Sequence, residues 1–190
     1  GLAMLSEDRK KDGILPLLSV KKNISITTLS QLLQNGILST KKETALAEKY
    51  IQELNIKTPS PEQLIQNLSG GNQQKAILAK CLATQPKVLL LDEPTRGIDA
   101  TSRHALEQML VGHAAGGGAV VLATHDVELA ARVATTVVVL GDGDVVAHGD
   151  ARTVLAGSLF APQVLRVLPP LLTVDEVRAL LAAEAPGVVP

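Results

Sequence analysis

Val88-Leu89-Leu90-Leu91-Asp92-Glu93-Pro94-Thr95-Arg96-Gly97-Ile98-Asp99 is four apolar residues ending on two acids and a turn. A short continuous apolar run reads as a parallel strand buried on both faces. A carboxylate at the carboxyl end of such a strand faces the ligand crevice of an open α/β sheet. There Asp92 suits a Mg²⁺ ion held through water. Glu93 suits a group that orients and polarises an attacking water in phosphoryl transfer. A solvated acidic turn is the plain alternative. Gly97 turns the chain, and Asp99 also suits the N-cap of the helix that follows.

Upstream stands Leu68-Ser69-Gly70-Gly71-Asn72-Gln73-Gln74-Lys75. A Ser and two Gly opening a helix expose a hydroxyl and backbone N–H groups at the positive end of a helix dipole, which suits a phosphate. An ordinary capped helix after a Gly turn reads equally well. Downstream, Val120 to Thr124 forms another apolar strand and His125-Asp126 follows. A His at that place can bridge a γ-phosphate and a neighbouring carboxylate, although a lone His is more often structural or merely exposed.

The coarse reading is mixed α/β. It has strands over 2–6, 88–91 and 119–123, and helices over 28–36, 41–56, 71–84 and 101–112. Pro61 suits the first turn of a short helix through 67. A helix starts at Asp126. Strands at 136–140 and 145–147 flank Gly141-Asp142-Gly143-Asp144 as a β-hairpin. Thr173-x-x-Glu176 opens the last helix as a capping box.

The chain has 190 residues, 46% of them hydrophobic, so a real core is expected and disorder is not. One Tyr, one Phe and no Trp leave almost no platform for stacking bases, and a net charge of -1 gives no pull toward nucleic acid or anionic membrane. No apolar run approaches the ~18 residues of a membrane span. The single Cys81 excludes an internal disulfide and reads as an inert core thiol. Charge changes near position 100: residues 1–100 hold 11 Lys and a balance of +3, and residues 101–190 hold no Lys and a balance of -4.

Taken in order, these features resemble the ABC ATPase family over nearly the whole chain. The resemblance implies a P-loop NTPase-like α/β fold in part: a helical subdomain plus the downstream part of the parallel-sheet core. It implies that Ser69, Gly70 and Gly71, with Gln73 beside them, form the signature motif that reaches across a dimer to the partner's ATP. Asp92, on Mg²⁺, and catalytic Glu93 end the Walker B strand. Asp99 is the D-loop aspartate, and His125 is the switch histidine, also catalytic.

The opening Ser6-Glu7-Asp8-Arg9-Lys10, with Gly13 and Ser19-Val20-Lys21-Lys22-Asn23, resembles the second ATPase half of monosaccharide importers. So do Asn55-Ile56-Lys57-Thr58-Pro59-Ser60 and the Asn-Gln-Gln-Lys end of the signature. In that family Glu7 stands where most ABC ATPases place the Q-loop glutamine, and it counts with the nucleotide-binding residues. A solvated charge run is its plain reading. Ala123 to Ala130, the hairpin, 160–164 and 172–177 instead resemble energy-coupling-factor ATPases of vitamin and metal importers. The partner of the resemblance thus changes near residue 100, as in a chimera or misjoined fragment.

No Gly-x-x-x-x-Gly-Lys-Ser/Thr occurs, and the dipeptide Gly-Lys is absent. That Walker A loop would cradle the phosphates, so the 190 residues alone are expected to lack ATPase activity. The expected divisions are 1–13, a core strand and Q-loop; 14–67, a helical subdomain; 68–150, the signature helix and catalytic sheet; and 151–190, a helical tail. The resemblance implies an ATP-hydrolysing subunit of an importer, with sugar as cargo, at the cytoplasmic face of the membrane. Its partners would be a second ATPase domain, head to tail, and a transmembrane permease, with no nucleic acid. An inactive half that lends only a signature face, or a vitamin or metal importer ATPase, is the alternative.

Overall fold

The computed structural model describes residues 1–8, 13–157 and 161–184; Arg9, Lys10 and Phe160 of the resemblances lie outside them. The chain forms two compact units, Gly1–Thr124 and His125–Pro190. The first runs β1 (Leu2–Leu5), α1 (Val20–Ser25), β2 (Leu33–Gln34), β3 (Ile37–Leu38) and α2 (Thr40–Glu53). It continues through α3 (Gly70–Ala83), β4 (Val88–Asp92), α4 (Ala100–Ala115) and β5 (Ala119–Ala123).

The quoted strand, β4, is the middle of a three-stranded parallel sheet ordered β1-β4-β5. Register sets Leu91 beside both Leu5 and Leu122, and Asp92 beside Ala123. Strand residues alternate faces. Leu5, Leu89 and Leu91 are buried, where α3 packs on β1 and α4 on β5. The other face is open: Leu2, Met4 and Val121 are 63%, 60% and 58% exposed. The strands are therefore buried on one face, not on two as the apolar runs suggest. The change in Lys usage near 100 leaves no mark here, since β4 and β5 share one sheet.

Two other expectations change. Residues 28–36 are not a helix: 29–32 make one 3-10 turn, and β2 and β3 pair antiparallel around Asn35 and Gly36 at φ 51° and 80°. An Asn-Gly pair supplies the two positive φ angles of a type I′ turn, which outweighs a short helical period. The 61–67 helix is reduced to a 3-10 turn, Ile65–Asn67. The backbone before it is taken by the segment leading into α1: Val20 N–H donates to Gln63, Lys21 N–H to Pro61, and Ile65 N–H to Leu18.

α1 is under two turns long and has no apolar period to read; Ser19 caps it by accepting from Lys22 N–H. Packing makes it: Val20 and Ile24 are fully buried, and α1 contacts both α2 and α3. Asn23 clamps the preceding loop, accepting from Leu15 N–H at 2.8 Å and donating to the carbonyls of Leu15, Leu18 and Ser19. Cys81 is buried against the Met4 carbonyl, and burial pushes its thiol up.

The second unit holds α5 (Val127–Val133), a β6–β7 hairpin (Thr136–Gly141, Asp144–Asp150), α6 (Ala151–Ala156), α7 (Gln163–Val167) and α8 (Val174–Glu184). The hairpin turns on Asp142 and Gly143, both at positive φ. Asp126 and Asp150 cap α5 and α6 by accepting from Leu129 and Thr153 N–H groups. Thr173 accepts from Glu176 N–H, and Glu176 returns the bond to Leu172 N–H, one residue before the capping-box position. Arg132–Asp175 and Arg152–Glu176 pairs tie α8 back to α5 and α6.

Candidate functional site

The carboxyl end of β4 carries Asp92 and Glu93, both half-buried. Glu93 leaves the strand abruptly, at φ 44°. A non-Gly residue there costs on the order of 1–3 kcal/mol, and such strain clusters at functional sites. Residues of the neighbouring strand's end hold it at two points. Its N–H donates to the Ala123 carbonyl at 2.9 Å, and its Oε2 accepts from the Thr124 hydroxyl at 3.3 Å. Pro94 and Thr95 then turn inward and are buried.

Ser69 is the N-cap of α3, but its side chain does not close the first turn; its Oγ accepts from the Asn72 amide at 2.9 Å. The start of α3 is thus left available to an anion. Gly71 abuts the turn after β4: a Cβ there would lie 2.7 Å from the Gly97 carbonyl oxygen. Gln73 faces inward, with its amide donating to Leu68 and Ile65 carbonyls. It shapes the loop before the helix. Gly70 is half-buried and Ser69 exposed.

Asp99 caps α4, accepting from Ser102 N–H at 3.0 Å and from the Ser102 hydroxyl at 2.6 Å. These bonds, with help from the Lys75 ammonium, hold its carboxyl down at about 2. Lys75 itself is buried and donates to the Asn55 carbonyl at 2.5 Å; burial lowers its pKa. Glu7, just past β1, pairs with Arg96 of the turn after β4. In the first unit, Glu7, Asp92–Glu93, Gly71 and Asp99 are therefore brought together around that turn. His125 opens the second unit and is exposed.

Arg96, Ser102 and Thr124 escape the sequence reading as site residues. Thr124 had a signal: it is the polar residue just past the carboxyl end of a parallel strand. Among the described residues, no group of three or more His, Cys, Asp or Glu could hold a metal. One carboxylate at a strand end is the donor set Mg²⁺ uses when substrate phosphates and water complete its shell.

The model of the family described as ABC transporter matches residues 2–96, half of the chain. The chain belongs to the ABC transporter family. It is 43% identical over 168 residues to the arabinose import ATP-binding protein AraG of Shigella boydii serotype 4, covering 86% of this chain and 33% of that protein. It is 43% identical over 153 residues to the putative ribose/galactose/methyl galactoside import ATP-binding protein 3 of Agrobacterium fabrum, covering 79% and 31%. The chain thus spans about a third of the length of these ABC relatives. An alignment of 168 residues must run through position 100, so one sugar-importer relative matches the chain on both sides of the switch in Lys usage.

Solved ABC cassettes share the fold. The dimeric post-hydrolysis state of the ATP-binding cassette MJ0796, bound to ADP and Pi, matches with a TM-score of 0.68 at 23% identity, covering 79% of this chain and 62% of that one. The cbiO1 protein from Clostridium perfringens, part of the ABC transporter complex cbiONQ, gives 0.65 at 23% identity, covering 95% and 66%.

Proposed function

We propose that this chain carries the signature, Walker B, D-loop and switch segments of the ATPase subunit of an ABC importer, with a monosaccharide as cargo. The observation that carries the reading is the Asp92–Glu93 pair at the end of the middle strand, with Glu93 turned out of the strand and held by its neighbour. The reaction is ATP plus water to ADP plus phosphate. Glu93 orients and polarises the water, and His125 contacts the γ-phosphate. Asp92 would hold Mg²⁺, which when bound neutralises phosphate charge. Ser69, Gly70 and Gly71 present N–H groups and a hydroxyl to the ATP of a head-to-tail partner domain, and Gln73 fixes their loop.

Residues 1–13 supply the core strand and the Q-loop, with Glu7 at its nucleotide end. Residues 14–67 form the helical subdomain, which docks on a transmembrane permease at the cytoplasmic face. Exposed Leu17 and Ile37 on that subdomain support such a contact. Residues 68–150 form the catalytic part and 151–190 the tail. No helix among the described residues is long and apolar enough to cross a membrane.

The test is ATP hydrolysis and uptake of labelled arabinose, ribose and galactose by the assembled transporter. Glu93→Gln should lower kcat by roughly 100-fold or more, while ATP still drives dimerisation. Undiminished hydrolysis would remove Glu93 from the reaction, and uptake of none of these sugars would remove the cargo.

A further inference from the structure

Glu93 is a flexible side chain on a strained backbone, and a carboxylate that orients water must be held in direction. The end of β5 supplies such a hold. Asp92 is the register partner of Ala123 on β5. Glu93, the next residue of its strand, continues the contact beyond the ladder. Glu93 N–H donates to the Ala123 carbonyl at 2.9 Å, and the Thr124 hydroxyl donates to Glu93 Oε2 at 3.3 Å. Consecutive residues of β5's end thus fix the backbone and the carboxylate of the same glutamate. At φ 44° the Glu93 backbone has left strand geometry.

We infer that Thr124 is a positioning residue for ATP hydrolysis, holding the Glu93 carboxylate through Oε2 in the direction that water attack requires. This rests on the ATPase reading above. In this role Thr124 acts through Glu93. It is also the residue bonded directly to His125, so one strand end sets the glutamate and leads into the histidine. A hydroxyl is needed and its methyl is not, so Ser should serve and Val should not, although Val matches Thr in shape.

Two readouts test this. In the assembled protein with ATP and Mg²⁺, Thr124→Val should lower kcat roughly tenfold with KM within about twofold, and Thr124→Ser should restore most of kcat. Separately, with ¹³C-labelled glutamate, the carboxyl resonance of Glu93 at neutral pH, assigned by its loss in Glu93→Gln, should move in Thr124→Val and return in Thr124→Ser. An unchanged kcat in Thr124→Val overturns the inference, as does an equal loss in both variants that follows a lowered melting temperature. If the wild-type protein hydrolyses no ATP, the ATPase reading falls and Thr124 has no catalytic step to serve. The Glu93 resonance then still reports whether the hydroxyl holds the carboxylate.

Discussion

Gly71 and Gly97 meet so closely that a single methyl group on Gly71 would stand 2.7 Å from the Gly97 carbonyl oxygen. The neighbour is backbone, which cannot rotate away, so the turn after β4 must shift. Gly71→Ala is expected to destabilise the chain by about 1–3 kcal/mol, the cost of overpacking. Gly112 is the control. It lies inside α4, and a Cβ there meets nothing within 4 Å. Gly112→Ala should stabilise by about 0.5–1 kcal/mol, because glycine loses most freedom in a helix. Urea denaturation of both variants checks the opposite signs; a neutral Gly71→Ala would mean that the contact is loose.

Why Gly stands at 71 was not visible in the sequence, where Gly70-Gly71 reads equally well as a helix cap. The fold class and the middle strand were visible, because four apolar residues ending in Asp-Glu admit few other placements. α1 was hidden, since packing of Val20 and Ile24 creates it without a period long enough to read. The 28–36 segment misled because apolar spacing at 29, 32 and 33 outweighed the Asn35-Gly36 signal. Of the candidate site, Asp92, Glu93 and Asp99 follow from strand and cap logic. The partners of Glu7 and Glu93 do not, because Arg96 and Thr124 meet them across 89 and 31 residues of chain.

Asp99 gives a prediction in pH. The Ser102 hydroxyl first, then the Ser102 N–H, hold its carboxyl at about 2, below its ordinary 3.8. The folded value lies under the unfolded one. The stabilisation from these bonds is therefore complete above about pH 4 and is lost as pH falls through about 2. Ser102→Ala removes the larger cause and leaves the N–H. The Asp99 titration, followed by NMR, should move up toward 3.8 in that variant; an unmoved midpoint would show that the hydroxyl does not hold the carboxylate.

The Glu7–Arg96 pair joins the end of β1 to the turn after β4, with side chains 48% and 64% exposed. Exposed pairs contribute at most about 1 kcal/mol and are screened by salt. A double-mutant cycle with Glu7→Gln and Arg96→Gln should give a coupling within that limit, shrinking at high salt. On the Q-loop role proposed for Glu7, transport should suffer more than stability. Equal losses in both would assign the pair to the fold alone.

The open face of the sheet sets the last expectation. Met4 and Val121 are more than half exposed, on the side away from α3 and α4, whereas Leu89 faces the other way and is fully buried. Parallel sheets are normally covered on both faces, and exposed apolar strands invite association. The 190-residue chain in isolation should therefore self-associate at micromolar concentration. Met4→Lys and Val121→Thr should reduce association with stability changed by no more than about 0.5 kcal/mol. Leu89→Ala should do the reverse, costing roughly 2–5 kcal/mol without relieving association in the folded chain. Sedimentation velocity beside thermal melts separates the two faces. If Met4→Lys leaves the association unchanged, another surface drives it.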